Sequence, residues 1–397
     1  MTTTGPARQA SLRERNLAIV ARAVVDAPEP LSRADVAART GMTRATVSTL
    51  VDQLVEAGLL TELPAVSSGP GRPAVPLAPA ARTVVGLGLE VNVDYLGGRV
   101  VDLTGAVVDE IVLMENLRGS PASATLGRLG RLARDLIARV TSRGMRVAGA
   151  HLALPGLVDT RSSVLRVAPN LGWSDVEPLP LLGLPAGVPV RVGNEAKLAA
   201  LAQLWGCPVV ERTSRTFLYV SGDVGIGAAI VIDGELFSGR HGWSGELGHV
   251  TIDPAGPTCR CGASGCLERY AGKEALVTGL GLDIDVANDV LVDRLSAADA
   301  HSVVGTAGAA LGQAMADAVN LLDIDRVLLG GVYTGLVPLL RPQITEQLRT
   351  RVLGAPWAPV DVSAAPVADH AALTGGAATS LRAVVDDPTP WIVAATG

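Results

Sequence analysis

Aromatic residues are scarce in this chain of 397 residues, which holds five Trp, four Tyr and two Phe. An aromatic-rich binding surface is thereby disfavoured. The 45 Gly, with Ala and Val abundant, suit instead an α/β protein built on tight turns. Long apolar runs are missing too: no stretch of about 18 apolar residues escapes interruption by charge, Gly or Pro. The opening MTTTGPARQA has no apolar signal core, so a soluble cytoplasmic protein without a membrane partner is expected. Cysteine is limited to four residues, three of them within Cys259–Cys266 and the fourth at Cys207. That pattern is not a secreted disulfide framework; it favours a reducing compartment, with Cys207 a core residue.

Excess positive charge is also lacking, since the formal net charge is −6, which argues against bulk affinity for nucleic acid. Residues 1–80 nevertheless carry eight Arg against seven acids, close to +1, which leaves the remainder near −7. Any DNA contact must come from a local patch.

The length implies two or three domains. From Ser11 to about Ala27 the sequence predicts a helix with apolar positions at Leu17, Ile19, Val20 and Val24, followed by a PEP break. LSRADVAARTGMTRATVSTLVDQLVEAGLL then predicts two short helices around a glycine turn. Ser32 and Asp35 form a capping-box pattern, Gly41 supplies the turn, and Thr43 can cap the second helix. The inward stripe of that helix is Val47, Leu50, Val51 and Leu54, and Gly58 can end it. Arg44, Ala45, Ser48 and Thr49 are left on the solvent face, a set that fits a major groove. The candidate DNA contacts are therefore Thr43, Arg44, Ser48 and Thr49, joined by Arg72 at the tip or base of a wing in the following Pro/Gly-rich stretch. Arg44 is the candidate for a base edge and Arg72 for the backbone or minor groove. Residues 1–80 thus read as a winged helix-turn-helix with its linker, the alternative being a three-helix packing module without a DNA role.

From about Ala81 the pattern becomes a β-meander, a helix over Ala122–Arg143, a further strand, and a strand running into a helix at Asn194–Glu195. A second meander begins near Arg215, and a helix over about Gly305–Leu322 precedes DRVLLGGVYTG and a closing helix near Leu373–Val385. Two half-repeats of meander plus helices imply two α/β lobes with a cleft between them. The expected division is 81–200 with about 370–397 for the first lobe and 201–369 for the second.

The spacing CxCxxxxC at Cys259, Cys261 and Cys266, with His249 ten residues before the first, offers three thiolates and an imidazole. A closed tetrahedral Zn²⁺ site needs that set, and four protein ligands leave no open position for a catalytic water. A structural zinc would hold the loop rigid together with the flanking Glu246 and Glu268, whose carboxylates could accept hydrogen bonds from the hydroxyls of a sugar. Three reduced buried cysteines are the alternative.

GELGH followed by CRCGASGCLE, together with SGDVGIGAAIVIDGELFSG, ALPGLVD, PNLGW, GNEAK and VLLGGVYTG, resembles the ROK family of repressors, open reading frames and sugar kinases. The resemblance covers roughly 83–390, and the preceding helix-turn-helix is similar to the repressor branch. It implies a two-lobed actin-like ATPase/sugar kinase fold. It places zinc on His249, Cys259, Cys261 and Cys266, and a sugar on Asn194, Glu195, Glu246, His249 and Glu268. In the family's kinases the first phosphate loop reads DxGGTK. The corresponding stretch here, Glu90 to Asp94, carries side chains in place of glycines, and Glu195 stands where those kinases have a catalytic Asp. A carboxylate displaced by about 1 Å can cost on the order of 10²-fold in rate. The resemblance, which at Glu195 extends to the xylose-responsive repressors, thus implies a non-enzymatic, sugar-responsive repressor acting on double-stranded operator DNA as a homodimer or homotetramer. The alternatives are an ATP-dependent sugar kinase with an appended DNA-binding domain and a constitutive DNA-binding protein.

Overall fold

The computed structural model describes residues 9–65, 74–206 and 215–393. Arg72 and Cys207 lie outside the described residues. The chain opens with α1 (Gln9–Val25), β1 (Leu31–Ser32), α2 (Arg33–Thr40), α3 (Arg44–Glu56), β2 (Leu60–Glu62) and β3 (Pro76–Pro79), and the three strands form a small antiparallel sheet in the order β1-β3-β2. The local signals act as expected. Ser32 accepts from the Asp35 amide while Asp35 accepts from the Ser32 amide at 2.9 Å; Gly41 takes the left-handed turn at φ 71°; and the Thr43 hydroxyl accepts from the Thr46 amide at 3.2 Å. Arg33 ties the module together by pairing with Asp52 on α3 at 2.6 Å and with Glu62 on β2. This is a winged helix.

Two larger sheets follow. The first takes β4 (Val84–Val91), β5 (Tyr95–Asp102), β6 (Val107–Met114), β7 (Arg146–Leu154) and β11 (Val190–Asn194) in the order β11-β7-β4-β5-β6. Between them the chain forms α4 (Ala122–Ser142), a small sheet of β8 (Leu157–Asp159), β9 (Val164–Ala168) and β10 (Trp173–Val176), and α5 (Pro178–Leu182). After β11 comes α6 (Glu195–Trp205). The second sheet takes β12 (Phe217–Gly222), β13 (Ile226–Ile232), β14 (Glu235–Leu236), β15 (Arg326–Gly331) and β16 (Asp361–Ala364) in the order β14-β13-β12-β15-β16. Helices α7 (Glu268–Ala271), α8 (Lys273–Gly279), α9 (Asn288–Leu295), α10 (His301–Leu322) and α11 (Tyr333–Arg351) belong with it, before α12 (Ala371–Asp386) and α13 (Thr389–Val393) close the chain. In both sheets the first three strands are an antiparallel meander and the last two add in parallel, so two lobes share one topology. This is the expected actin-like arrangement.

Each lobe has its own core, one around Leu87, Leu126 and Leu152 and the other around Val220, Leu311 and Ile344. Because strand residues alternate between faces, Leu87 and Leu89 of β4 point into the first core while Gly86 and Gly88 point away from it, towards α12. A Cβ on Gly88 would lie 1.8 Å from the Leu373 carbonyl oxygen, so the helix reaches the sheet only because glycine stands there. Leu381, Val384 and Val385 at the far end of α12 share one hydrophobic cluster with Val20, Val24 and Leu54 of the winged helix.

Candidate functional site

The segment after β14 turns through the short 3₁₀ helix Leu247–His249, and bridges from Thr251 to Cys266 and from Thr258 to Ser264 fold the next residues back on themselves. His249, Cys259, Cys261 and Cys266 are thereby gathered, and their donor atoms all lie within 4.8 Å of one another. Nδ1 of His249 is 3.9 Å from Sγ of Cys259, and the Cys261 and Cys266 sulfurs are 3.7 Å apart. A tetrahedron built on Zn–S bonds of about 2.3 Å has edges of about 3.8 Å, so the donor set fits a tetrahedral metal ion. Cys259 and Cys266 are buried and Cys261 is exposed. Since Nδ1 faces the sulfurs, Nε2 of the same ring is directed away from them.

A recess beside this cluster collects all five residues expected to meet a sugar: Asn194, Glu195, Glu246, His249 and Glu268 line it. Asn194 ends β11 and caps α6, its side-chain oxygen accepting from the Lys197 amide at 3.2 Å and its amide nitrogen donating to the Gly156 carbonyl at 3.0 Å. Glu195 follows in the first turn of the same helix. Glu268 starts α7 and accepts from the Ile226 amide of the second sheet at 3.3 Å. Lys197 is 6% exposed; its ammonium donates to the Gly242 carbonyl in the segment leading to Glu246. Burial lowers its pKa, and the Glu246 charge works the other way. Hydroxyl-accepting carboxylates and an imidazole on one wall are the equipment for binding a polyol.

Asn92, Asn170 and Asp223 line the recess as well, and the sequence reading passed over them. Asn170 and Asp223 lie inside the quoted motifs PNLGW and SGDVGIG, which was the available signal. Asn92 is at hydrogen-bond distance, 3.4 Å, from both Glu90 and Glu195. Beyond these residues the cleft widens into a chamber of about 1020 Å³ between the lobes, with Glu90, Glu195 and Asp223 at its floor. Burial and then the Asp223 charge push Glu90 up to about 7. Burial and then the Asp94 charge push Asp223 up to about 7, against the pull of Lys273. Glu195 is raised by burial and by Asp223, Glu90 and Glu246. Lys273 of α8, 4% exposed, crosses the cleft to Asp94 at 3.1 Å.

On the winged helix, Thr43, Arg44 and Thr49 are exposed and Ser48 is half-buried, on the face opposite buried Val47, Leu50, Val51 and Leu54. Thr46, also exposed, joins this face, a position the sequence reading left out. Two of the hydroxyls have internal partners, because Thr43 caps the helix and Thr49 donates to the Ala45 carbonyl at 3.2 Å. Among the described residues no helix is long and apolar enough to cross a membrane.

The profile described as the ROK family matches residues 88–383, and that of the MarR family matches residues 18–69. The xylose repressor of Bacillus spizizenii is 28% identical over 327 residues, covering 81% of this chain and 84% of that protein. A solved ROK family transcriptional regulator, described as a homologue of the Escherichia coli Mlc protein, superposes with a TM-score of 0.77 at 24% identity over 97% of this chain and 100% of its own. The ROK hexokinase of Thermus thermophilus superposes with a TM-score of 0.61 at 27% identity, over 76% of this chain and 99% of its own.

Proposed function

The chain belongs to the ROK family, and on that premise we propose that it is a sugar-responsive transcriptional repressor that binds operator DNA as a homo-oligomer in the cytoplasm. The observation that carries this reading is the coexistence of a winged helix with a recess lined by Asn194, Glu195, Glu246, His249 and Glu268. The MarR family match over residues 18–69 and the likeness to a protein named a xylose repressor support it. A structural Zn²⁺ on His249 and the three cysteines would fix the recess wall, with Nε2 of His249 left to meet a sugar hydroxyl. Residues 1–80 would act as the DNA-binding unit, 81–200 with about 370–397 as one lobe, and 201–369 as the other.

Phosphoryl transfer needs amides that cradle phosphate oxygens and cations that neutralise them. Here the end of β4 offers Glu90, the turn after it Asp94, and the turn after β12 Asp223, acidic groups that supply no positive charge to a phosphate. This favours sensing over catalysis.

Helix α12 supplies a route from pocket to DNA. Its start, His370 to Ala372, lines the cleft, and a Cβ on Gly375 would lie 1.8 Å from the Leu198 carbonyl oxygen of α6, the helix that begins at Glu195. At its other end Arg382 pairs with Asp26 at 2.7 Å and Asp386 with Arg22 at 2.6 Å. The recognition helix is held to the body as well: Arg146 donates to the Ala57 carbonyl and Thr83 to the Gly58 carbonyl at 2.6 Å. A change in lobe closure would therefore tilt the winged helix, and two half-sites about 34 Å apart tolerate little tilt in a dimer.

Titration of operator DNA against a panel of pentoses, hexoses and amino sugars, with ATP turnover as a control, tests the proposal. One sugar should change operator affinity, and by linkage the operator should change that sugar's affinity by the same factor. Turnover at ordinary kinase rates, or equal sugar affinity with and without operator, would overturn it. Arg44→Ala should relax discrimination at one base position by about 1–3 kcal/mol; a uniform loss across all sequences would make Arg44 a phosphate contact instead.

A further inference from the structure

A helix-capping residue ordinarily has an extended backbone, but His370, which caps the start of α12, is left-handed, at φ 46° and ψ 48°, and its side chain makes no capping hydrogen bond. A residue other than glycine stays in that region only where its surroundings impose it. Here they do. Arg99 of β5, 6% exposed, donates through Nη1 to the Asp369 carbonyl at 2.9 Å, just before His370, and to the Thr374 hydroxyl at 2.8 Å, one turn after it. Between these two fixed points the imidazole meets the ring of Tyr95 in a T-shaped contact, with centroids 4.7 Å apart.

Tyr95 leads from there back to the recess. Its hydroxyl donates to Glu90 on the neighbouring strand β4. Asn92, in the turn between the two strands, has its amide nitrogen 3.4 Å from Glu90 and 3.4 Å from Glu195, while its oxygen accepts from the Asp94 amide at 3.2 Å. The Asn92 amide is thus pinned at one end and divided at the other, since both contacts to carboxylates are longer than a well-made hydrogen bond. Glu195 lines the recess as well as the chamber, whereas His370 lines the chamber alone. A sugar hydroxyl bound by Glu195 would draw that carboxylate from Asn92 and leave the amide to Glu90, the group that holds Tyr95.

We propose that Tyr95 and His370 form the joint of the sugar response: positioning residues that touch neither sugar nor DNA and pass the state of Glu195 to the first turn of α12. The inference rests on the effector reading above and adds to it the residues on which the response depends. Coupling between distant sites is carried by packed and hydrogen-bonded groups that have two discrete arrangements. The groups here are Glu195, Asn92, Glu90, Tyr95 and His370, and the two arrangements differ in which carboxylate Asn92 serves. From His370 the helix runs to Arg382 and the winged helix.

Amide hydrogen exchange of the full-length protein, with and without each of D-xylose, D-glucose and N-acetylglucosamine, tests it. The sugar that binds should slow exchange at residues 92–95 and at 370–376 of the wild type. Tyr95→Phe keeps the ring and loses the hydroxyl, and His370→Asn loses the imidazole for a residue that tolerates the left-handed backbone. In each variant calorimetric binding of the sugar and its slowing of exchange at 92–95 should be kept, while the slowing at 370–376 disappears. The factor by which the sugar changes affinity for a DNA duplex selected by the wild type from random sequence should fall at least about fivefold in each variant, and no further in the double variant. A merely structural role would lower duplex affinity alike with and without sugar and leave that factor intact, which overturns the assignment. Slowing at 370–376 that survives in both variants, or losses that add in the double variant, overturns it too. Tyr95→Phe removes a single oxygen, so it carries the test even if His370→Asn fails to fold. A wild type that binds none of the sugars of the panel refutes the effector reading and the joint with it; a wild type that responds, with both variants responding equally, refutes the joint alone.

Discussion

The two lobes run their strands in the same order, and each aims the turn of its first hairpin at the cleft, yet the two turns do different work. The turn after β4 carries side chains that reach outwards: Asn92 links Glu90 to Glu195, and Asp94 receives Lys273 from the opposite lobe. The turn after β12 stays compact, with the Asp223 amide donating to the Gly225 carbonyl at 2.9 Å, and next to it Glu268 closes against the Ile226 amide. One backbone plan has thus been given a lobe-bridging turn on one side and a compact turn lining the recess on the other. The lobes diverge again at their peripheries, where the second carries the His/Cys cluster and the first carries α12 and the docked winged helix. On the proposed reading, the second lobe supplies Glu246, His249 and Glu268 to the recess, and the first adds Asn194 and Glu195 and carries the outlet to DNA.

The sharpest way to break this division is to remove what the second lobe alone has. Cys266 is fully buried, and Cys266→Ala leaves an incomplete donor set. Zinc gives small fingers about 10–16 kcal/mol, but this lobe keeps a large core of its own, so a loss of about 3 kcal/mol or more in its unfolding step is expected, with loss of the sugar-induced stabilisation. Denaturant unfolding with metal analysis checks it. A variant equally stable with one metal retained per chain would refute the role given to the cluster.

The next test sets the two turns against each other through pH. Glu90 and Asp223 hold their protons up to about 7 when folded, while in the unfolded chain they lose them near 4. Between those values the folded state binds more protons, so stability falls as pH rises from about 4 to about 7, and the deficit persists above. For Glu90, with Tyr95, Asn92, Asp223 and Arg99 acting on it, the shift corresponds to on the order of 3 kcal/mol. Glu90→Gln should flatten the profile measured by denaturant midpoints from pH 5 to 8; an unchanged slope would show that this turn does not carry the penalty.

What the sequence made legible follows from range. Caps, the Gly41 turn and the recognition stripe act within one or two turns of helix, so Ser32, Asp35, Thr43 and Val47 to Leu54 could be read directly. The Cys259–Cys266 spacing is equally local, and the motifs of a known family carried Asn194, Glu195, Glu246 and Glu268 into one recess. Hidden were the pairs made by topology: Lys273 with Asp94 and Arg382 with Asp26 are 179 and 356 residues apart. Nothing near Glu90 in the chain announces that its carboxyl group ends up buried. The double use of α12, with Gly375 against α6 and Arg382 against α1, was equally unreadable, since each half looks like an ordinary amphipathic stretch.

A smaller effect sharpens the first lobe's role as outlet. Gly375→Ala puts a methyl group against the Leu198 carbonyl and should cost about 1–3 kcal/mol as α12 and α6 separate. The informative readout is the sugar-dependent change in operator affinity, which should shrink while operator affinity without sugar is kept. An undiminished response would place the signal route elsewhere.

The smallest expected effect concerns the far end of the same helix. Arg382 and Asp26 are partly exposed, 19% and 32%, so their pairing should stabilise the folded chain by no more than about 1 kcal/mol. Its value lies in where it sits, between the body and the helix that carries the DNA-reading module. In a double-mutant cycle of Arg382→Ala and Asp26→Ala, the stability coupling should be small, while the coupling measured on the sugar-dependent operator affinity should be at least as large. If α12 transmits closure, these two residues act on the response as one unit, and the double variant responds no less than either single one. Strictly additive losses in response would instead make the pair a passive fastening, and the transmission would have to run through the apolar contacts of Leu381, Val384 and Val385 alone.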